Sequence, residues 1–306
     1  GTEYFLRIYY NGPVDGMSFR IALTEGVVND ECAGALELLP GTLDDFNDAN
    51  KVVNTRATNG AISCDSFTRD LWYRFTATGP RAVIVGEPGE ITVELFSGTC
   101  ANLTSLACLV DVEKAGFSGL VAGQEYLLRI GTLNHVFVPL LFSAPANDGI
   151  EGALMLPADN ATFASIAREG WTYGATPGYG VMCGTGTPDD DVWYTFIATA
   201  STHTVSVERR NMHYEVDAFP PSDLQIEAFD TLTTDSAGLA AAVLTCATGT
   251  VNLTGLIVGD TILFRVFTWN NGPQAVDAFL VSVSNGNNNE ATGALALPYA
   301  DDYTAI

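Results

Sequence analysis

Positive charge is what this chain has least of. Its 306 residues carry 13 Lys+Arg against 36 Asp+Glu, a net charge of -23, and Lys51 and Lys114 are the only lysines. A surface of that sign repels phosphate backbones, which argues against nucleic acid as a partner. Histidine is equally sparse, with only His135, His203 and His213, and none falls in a His-Glu-x-x-His pattern. Gly-x-Ser-x-Gly and phosphate-cradling glycine loops are missing too, so no catalytic residue is assigned and no enzyme is expected. Without Cys-x-x-Cys or paired-His spacing, no transition-metal site is expected. No apolar run reaches the ~18–20 residues that a membrane span requires, and Gly1-Thr-Glu-Tyr-Phe-Leu-Arg7 lacks leader character. Helical periodicity is confined to Ala237–Leu244, enough for a turn or two.

What is present is a sequence that repeats itself. Three segments align: Asn29-Asp-Glu-Cys-Ala-Gly-Ala-Leu-Glu-Leu38, Asn147-Asp-Gly-Ile-Glu-Gly-Ala-Leu-Met-Leu156 and Asn288-Asn-Glu-Ala-Thr-Gly-Ala-Leu-Ala-Leu297. Asp70-Leu-Trp-Tyr-Arg-Phe-Thr-Ala-Thr78 matches Asp191-Val-Trp-Tyr-Thr-Phe-Ile-Ala-Thr199. A third element recurs at Gly1–Ile8, Gly123–Ile130 and Gly259–Val266. The chain begins in this third element and finishes just after the first. Residues 1–28 therefore read as the last strands of one domain, 29–146 and 147–285 as two whole domains, and 286–306 as the start of another.

The repeated elements have the period of strands. Leu71, Tyr73, Phe75 and Ala77 alternate with Trp72, Arg74, Thr76 and Thr78, and the first set is expected to face a core. Tyr126, Leu128 and Ile130 do the same, which leaves Arg7, Arg129 and Arg265 on the opposite face of their strands. Glycine-framed turns at Gly119–Gly123 and Gly255–Gly259 precede these strands, where positive φ is expected. Many short strands punctuated by Gly, Asn, Pro and Asp specify an all-β fold of tandem jelly-roll-like antiparallel β-sandwich domains, joined by short polar linkers such as Ser143–Asp148.

Six cysteines suit an oxidising compartment. Cys32, Cys64, Cys100 and Cys108 fall in the first whole domain, and Cys183 and Cys246 align with Cys64 and Cys108. Local spacing pairs Cys32 with Cys64 and Cys100 with Cys108. Parity between the domains pairs Cys64 with Cys108, Cys183 with Cys246 and, by remainder, Cys32 with Cys100. The two schemes have equal standing from sequence.

Domain two differs by an insertion near residues 208–221, with the only adjacent arginines of the chain. Arg209, Arg210, His213, Tyr214 and Phe219 are the interface candidates there, expected to meet an acidic neighbouring domain or chain. Asp189-Asp-Asp191 offers a weak calcium alternative to a plain polar turn; otherwise no cofactor is called for. Trp171, Tyr173, Tyr179 and Trp269 could stack on sugars if exposed.

Taken in order, Asn-Asp-Glu-Cys-Ala-Gly-Ala, the Ala57-Thr58 and Ala175-Thr176 pairs, Asp-x-Trp-Tyr-x-Phe-x-Ala-Thr, Glu94-Leu-Phe-Ser-Gly-Thr-Cys100 and Gly-Leu-x-x-Gly-x-x-Tyr-x-Leu-Arg-Ile resemble the pre-peptidase C-terminal-like domains of large secreted Bacteroidetes proteins. The resemblance covers 29–146 well and 147–285 more loosely. It implies a non-catalytic structural or adhesive repeat of an extracellular, cell-surface protein or filament; the alternative is an accessory carbohydrate- or substrate-binding module of a secreted hydrolase. Expected partners are neighbouring domains of the same chain, identical chains in a fibre, and surface glycans. The acidic run that relatives place after the second Cys is partial at Cys108-Leu-Val-Asp-Val-Glu113 and missing after Cys246.

Overall fold

The computed structural model describes residues 5–7, 27–42, 52–54, 57–58, 69–87, 90–132, 136–159, 166–184, 186–209, 224–230, 235–270, 272 and 276–285. Strands dominate. The first nine are β1 (Leu36–Glu37), β2 (Val52–Val53), β3 (Asp70–Thr76), β4 (Arg81–Glu87), β5 (Ile91–Thr99), β6 (Asn102–Val112), β7 (Lys114–Ser118), β8 (Glu125–Gly131) and β9 (Val136–Ser143). They form a five-stranded sheet ordered β1-β3-β8-β5-β6 and a four-stranded sheet ordered β2-β9-β4-β7.

The remaining strands are β10 (Leu154–Met155), β11 (Ala158–Asp159), β12 (Arg168–Trp171), β13 (Val192–Ile197), β14 (Thr202–Arg209), β15 (Leu224–Phe229), β16 (Val243–Thr248), β17 (Thr250–Thr254), β18 (Thr261–Thr268) and β19 (Ala278–Asn285). They repeat the pattern: β10-β13-β18-β15-β16 in one sheet and β11-β19-β14-β17 in the other, with β12 added alongside β19. A short helix α1 (Ser236–Ala241), N-capped by Asp235, occupies the stretch where weak helical periodicity was read.

Period-two alternation sets which residues meet between the sheets. Leu71, Tyr73 and Phe75 of β3 pack with Leu128 and Ile130 of β8 and with Ile84 and Leu141 of the facing sheet, all buried. Tyr194, Phe196, Phe264, Val266, Val205, Val281 and Val283 fill the second interior in the same way. Two separate cores therefore define two β-sandwiches. Each buried aliphatic or aromatic side chain is worth about 1.5–3 kcal/mol against exposure, so either interior is large enough to hold its sandwich. The turns before β8 and β18 carry Gly119, Gly123, Gly255 and Gly259 at φ of 75°, 82°, 74° and 100°, where a side chain would be strained.

The repeated Asn-Asp has a mechanical meaning. Asn29 brackets Trp72: its Nδ2 donates to the Trp72 carbonyl at 3.0 Å, and the Trp72 amide donates to the Asn29 carbonyl at 2.8 Å. Asn147 and Trp193 repeat the bracket at the same distances. The next residue, Asp30, accepts from the amide and hydroxyl of Thr58, and Asp148 does so from Thr176. One dipeptide thus ties the incoming chain to β3 or β13 on one side and to the Ala-Thr turn on the other.

Disulfides join Cys32 to Cys100 and Cys183 to Cys246, with Cα separations of 5.7 and 6.1 Å. These are pairs of the parity scheme; the local scheme, Cys32 with Cys64 and Cys100 with Cys108, is not adopted. Cys108 is also disulfide-bonded, while Cys64 lies outside the described residues. The second sandwich places Ile150 where the first has Cys32, and Leu239 of α1 packs beside Ile150 over Trp193 and Phe229. An apolar cover there stands in for the Cys32–Cys100 staple, which lies beside Trp72 and Phe96.

Replacing both Cys32 and Cys100 by Ala opens a 68-residue separation and is expected to destabilise the first sandwich by about 4 kcal/mol. In denaturant titration its transition should fall while that of the second sandwich stays. Equal loss in both would contradict independent cores.

Candidate functional site

The faces opposite the cores are built around arginine. Asp70, Trp72, Glu94 and Arg129 lie on the outward side of the first five-stranded sheet, and Asp191, Trp193, Glu227 and Arg265 occupy the same positions in the second. None of them faces water. In the first sandwich Arg129 donates to Asp70 and lies 5.5 Å from the Trp72 ring. In the second, Arg265 is 0% exposed and donates through Nε and Nη2 to Glu227 Oε2 at 3.0 and 2.6 Å. It also donates to Asp191 at 3.2 Å and to the carbonyls of Tyr179 and Gly180, and it sits 5.4 Å from the Trp193 ring.

A loop closes over this arginine. The amides of Met182, Cys183 and Gly184 converge on Glu227 Oε1 at 2.9, 3.2 and 3.5 Å, and the Cys183–Cys246 disulfide fastens the same loop to β16. Fully paired and hydrogen-bonded, the group is a structural clasp. Sequence reasoning placed Arg129 and Arg265 on this face but missed their burial. The readable signal was that an Asp, a Glu and an Arg recur in register in both copies of a chain otherwise poor in cations.

The second assembly of polar groups lies between the sandwiches. Val83 and Val85 of β4 and Val138, Leu140 and Phe142 of β9 point away from the first core and pack against Tyr173, Val276 and Ala278 of the second sandwich. Phe142 meets Tyr173 at 4.7 Å and Trp171 at 6.0 Å between ring centroids. At the rim Arg81 donates to the carbonyls of Asp189 and Ala175 and to the Asp189 carboxylate, at 2.7, 3.2 and 3.1 Å. Lys114 reaches Asp277 at 2.8 Å. Gly174, at φ 72°, passes so close to the connecting segment that a Cβ there would lie 2.7 Å from the Ser143 carbonyl carbon.

Arg209 pairs with Asp277 at 2.8 Å, so its first partner is its own sandwich, on a carboxylate that Lys114 of the other sandwich shares. Arg210, His213, Tyr214 and Phe219 lie outside the described residues. The three aspartates diverge: Asp189 takes Arg81 and the Gly272 amide, Asp190 takes the amide and hydroxyl of Thr268, and Asp191 takes Arg265 and the Gly178 amide. Among the described residues no group of three or more His, Cys, Asp and Glu is placed to hold a metal ion. Of the four aromatics, Trp171 and Tyr173 are packed at the junction and Tyr179 meets Trp193 edge-on, whereas Trp269 is 43% exposed.

Burial shifts several titrating groups, among them Asp191, raised to about 6 chiefly by desolvation and against the pull of Arg265 and the Gly178 amide. Asp190 is raised to about 7, chiefly by desolvation and against the hydrogen bonds from Thr172 and Thr268. His203 is lowered by burial; its Nε2 accepts from the amides of Thr199 and Ala200, which leaves Nδ1 to donate to the Ser284 carbonyl.

A family model described as galactose binding domain-like, and associated with T9SS, matches residues 28–138, less than half of the chain. No curated protein matches. Solved structures with similarity include a conserved protein of unknown function from Pseudomonas aeruginosa PAO1, 14% identical over 75% of this chain and 89% of that one, with a TM-score of 0.17. Another is the CUB1-EGF-CUB2 domain of human MASP-1/3, 9% identical over 76% and 98%, TM-score 0.17. A third is a fucolectin from striped bass serum, 10% identical over 70% and 82%, TM-score 0.17. Superpositions at this level do not bear on the fold. The T9SS-associated match and the two disulfides fit a secreted module. No helix among the described residues is long and apolar enough to cross a membrane.

Replacing Arg265 by Ala leaves Glu227 and Asp191 buried without their cation and is expected to cost about 3–5 kcal/mol in the second sandwich. Denaturation followed by tryptophan fluorescence reads this directly; a loss under ~1 kcal/mol would mean that the clasp is not structural.

The pH response has two opposed parts. Because Asp190 is raised, the stability it contributes is full below its ordinary 3.8 and is lost progressively as pH climbs from there through about 7. His203, being lowered, contributes above its ordinary ~6.5 and loses this as pH falls. Thermal midpoints of Asp190→Asn should therefore decline less than those of the parent between about pH 4 and 7, and an unchanged slope would refute the assignment.

Proposed function

We propose that this segment is a non-catalytic, stiff pair of tandem jelly-roll-like sandwiches within a large extracellular bacterial surface protein or filament, acting as a structural or adhesive repeat. In this reading 29–146 and 147–285 are its whole domains, and 1–28 and 286–306 belong to neighbouring domains of the same kind. Its partners are those neighbours, or identical chains in a fibre. The observation that carries the reading is the junction: a chain with 13 cations commits Arg81 and one of its two lysines to hold one sandwich against the next. That investment suits a spacer that transmits position and load.

A second reading, an accessory carbohydrate-binding module of a secreted hydrolase, is favoured by the galactose binding domain-like match over 28–138 and by the half-exposed Trp269 beside the loop of Gly272.

A glycan array probed with the intact chain, together with single-molecule stretching, separates the two. The structural reading expects mechanical resistance in both sandwiches and no glycan signal. Galactoside binding that disappears in Trp269→Ala would establish the second reading, and turnover of any polysaccharide by the purified chain would defeat both.

A further inference from the structure

The strands β9-β4-β7 of the first sandwich and β19-β14-β17 of the second agree in order and register, yet the outward faces they form are opposite in character. On the first, Val83 stands across the ladder from Phe142 and Val85 from Leu140. The same ladder positions of the second hold Thr204 across from Ser284 and Ser206 across from Ser282. The turn hydrogen bond from the Leu120 amide to the Pro80 carbonyl recurs from the Leu256 amide to the Ser201 carbonyl, which aligns β4 with β14 and β7 with β17. Both junction cations are exchanged as well: Thr202 stands in the place of Arg81, and Thr250, paired with Ser206, in the place of Lys114, paired with Val85.

The receiving side is just as particular. Tyr173, Asp189 and Asp277 meet the first sandwich, and the corresponding sequence positions of the first repeat are Thr55, Thr68 and His135. Neither half of the joint is therefore copied in the other repeat, although the strand-borne Asp, Trp, Glu and Arg of the clasp recur in register. Duplication has kept what folds each sandwich and has made the contact between them one-sided. An interface of this head-to-tail kind would propagate only if every unit carried both halves.

We infer that the two sandwiches form a matched pair with a joint that occurs once: the apolar, cation-rimmed outer sheet of the first accepts the acid-and-tyrosine edge of the second, and the hydroxyl-covered sheet of the second takes no neighbour in this manner. A longer array of such modules is then a series of stiff pairs linked by joints of another type, and not a uniform rod. The inference rests on the junction alone and holds whichever function the pair serves.

The test keeps the whole chain. A Gly/Ser linker of about 20 residues, with a free end-to-end distance near 25 Å, is inserted between Ala144 and Pro145, and the distance between probes at the exposed positions Glu125 and Asp260 is measured. If the faces themselves specify docking, the distance distribution matches that of the parent, and adding Arg81→Glu with Lys114→Glu broadens it. The milder pair Arg81→Gln and Lys114→Gln, checked for native circular dichroism, guards against misfolding of the charge reversals. Broadening from the linker alone would show that the connection and not the surface imposes the joint, which overturns the inference. Sedimentation of the parent chain should give a monomer; head-to-tail association abolished by Thr204→Arg, on the accessible part of the hydroxyl face, would show that this face does accept a neighbour, and would overturn it too.

Discussion

A carboxylate drawn out of water must meet a cation or a set of amides, and in a chain with 36 acids and 13 cations few cations are at hand. Asp70, Asp191 and Glu227 go inside, and Arg129 and Arg265 meet them; Asp189 and Asp277 close the junction, and Arg81, Lys114 and Arg209 meet those. Where cations run out, backbone amides serve: three converge on Glu227 and one dipeptide of Asn and Asp secures each sandwich entrance. The rest of the surface is left to solvated carboxylates. Pairing thus decides where a loop can close and where two sandwiches can touch, because a mispaired arrangement would strand a buried charge.

Much of the fold was legible because its period is local. Leu71, Tyr73 and Phe75 alternate with their neighbours whatever lies around them, so the core face of β3 can be read from a few residues. Glycine turns at 119–123 and 255–259 are local in the same sense. The disulfides needed comparison between copies, since the 68 residues separating Cys32 from Cys100 hide the pair from any argument on spacing.

The junction was not read, and the reason is physical. Its contacts join Arg81 to Asp189 and Lys114 to Asp277, across two separate interiors, so no local rule connects them. A signal was nonetheless present. Ala82-Val-Ile-Val85 and Val138-Pro-Leu-Leu-Phe142 are apolar on both faces, as a sheet covered on both sides requires, whereas Thr202-His-Thr-Val-Ser-Val207 alternates as a sheet open on one side does. The insertion at 208–221, singled out for its arginine pair, contributes Arg209 to the rim of that junction through Asp277.

On the proposed reading, repeated sandwiches with one unrepeated joint form a spacer whose geometry is set by side chains rather than by linker length. Residual dipolar couplings of the whole chain test it most directly. A fixed pair aligns as one body, so couplings from β3, β5 and β8 and those from β13, β15 and β18 should fit a single alignment tensor. Two tensors of different magnitude would mean that the sandwiches reorient independently, and the account of the junction would fail.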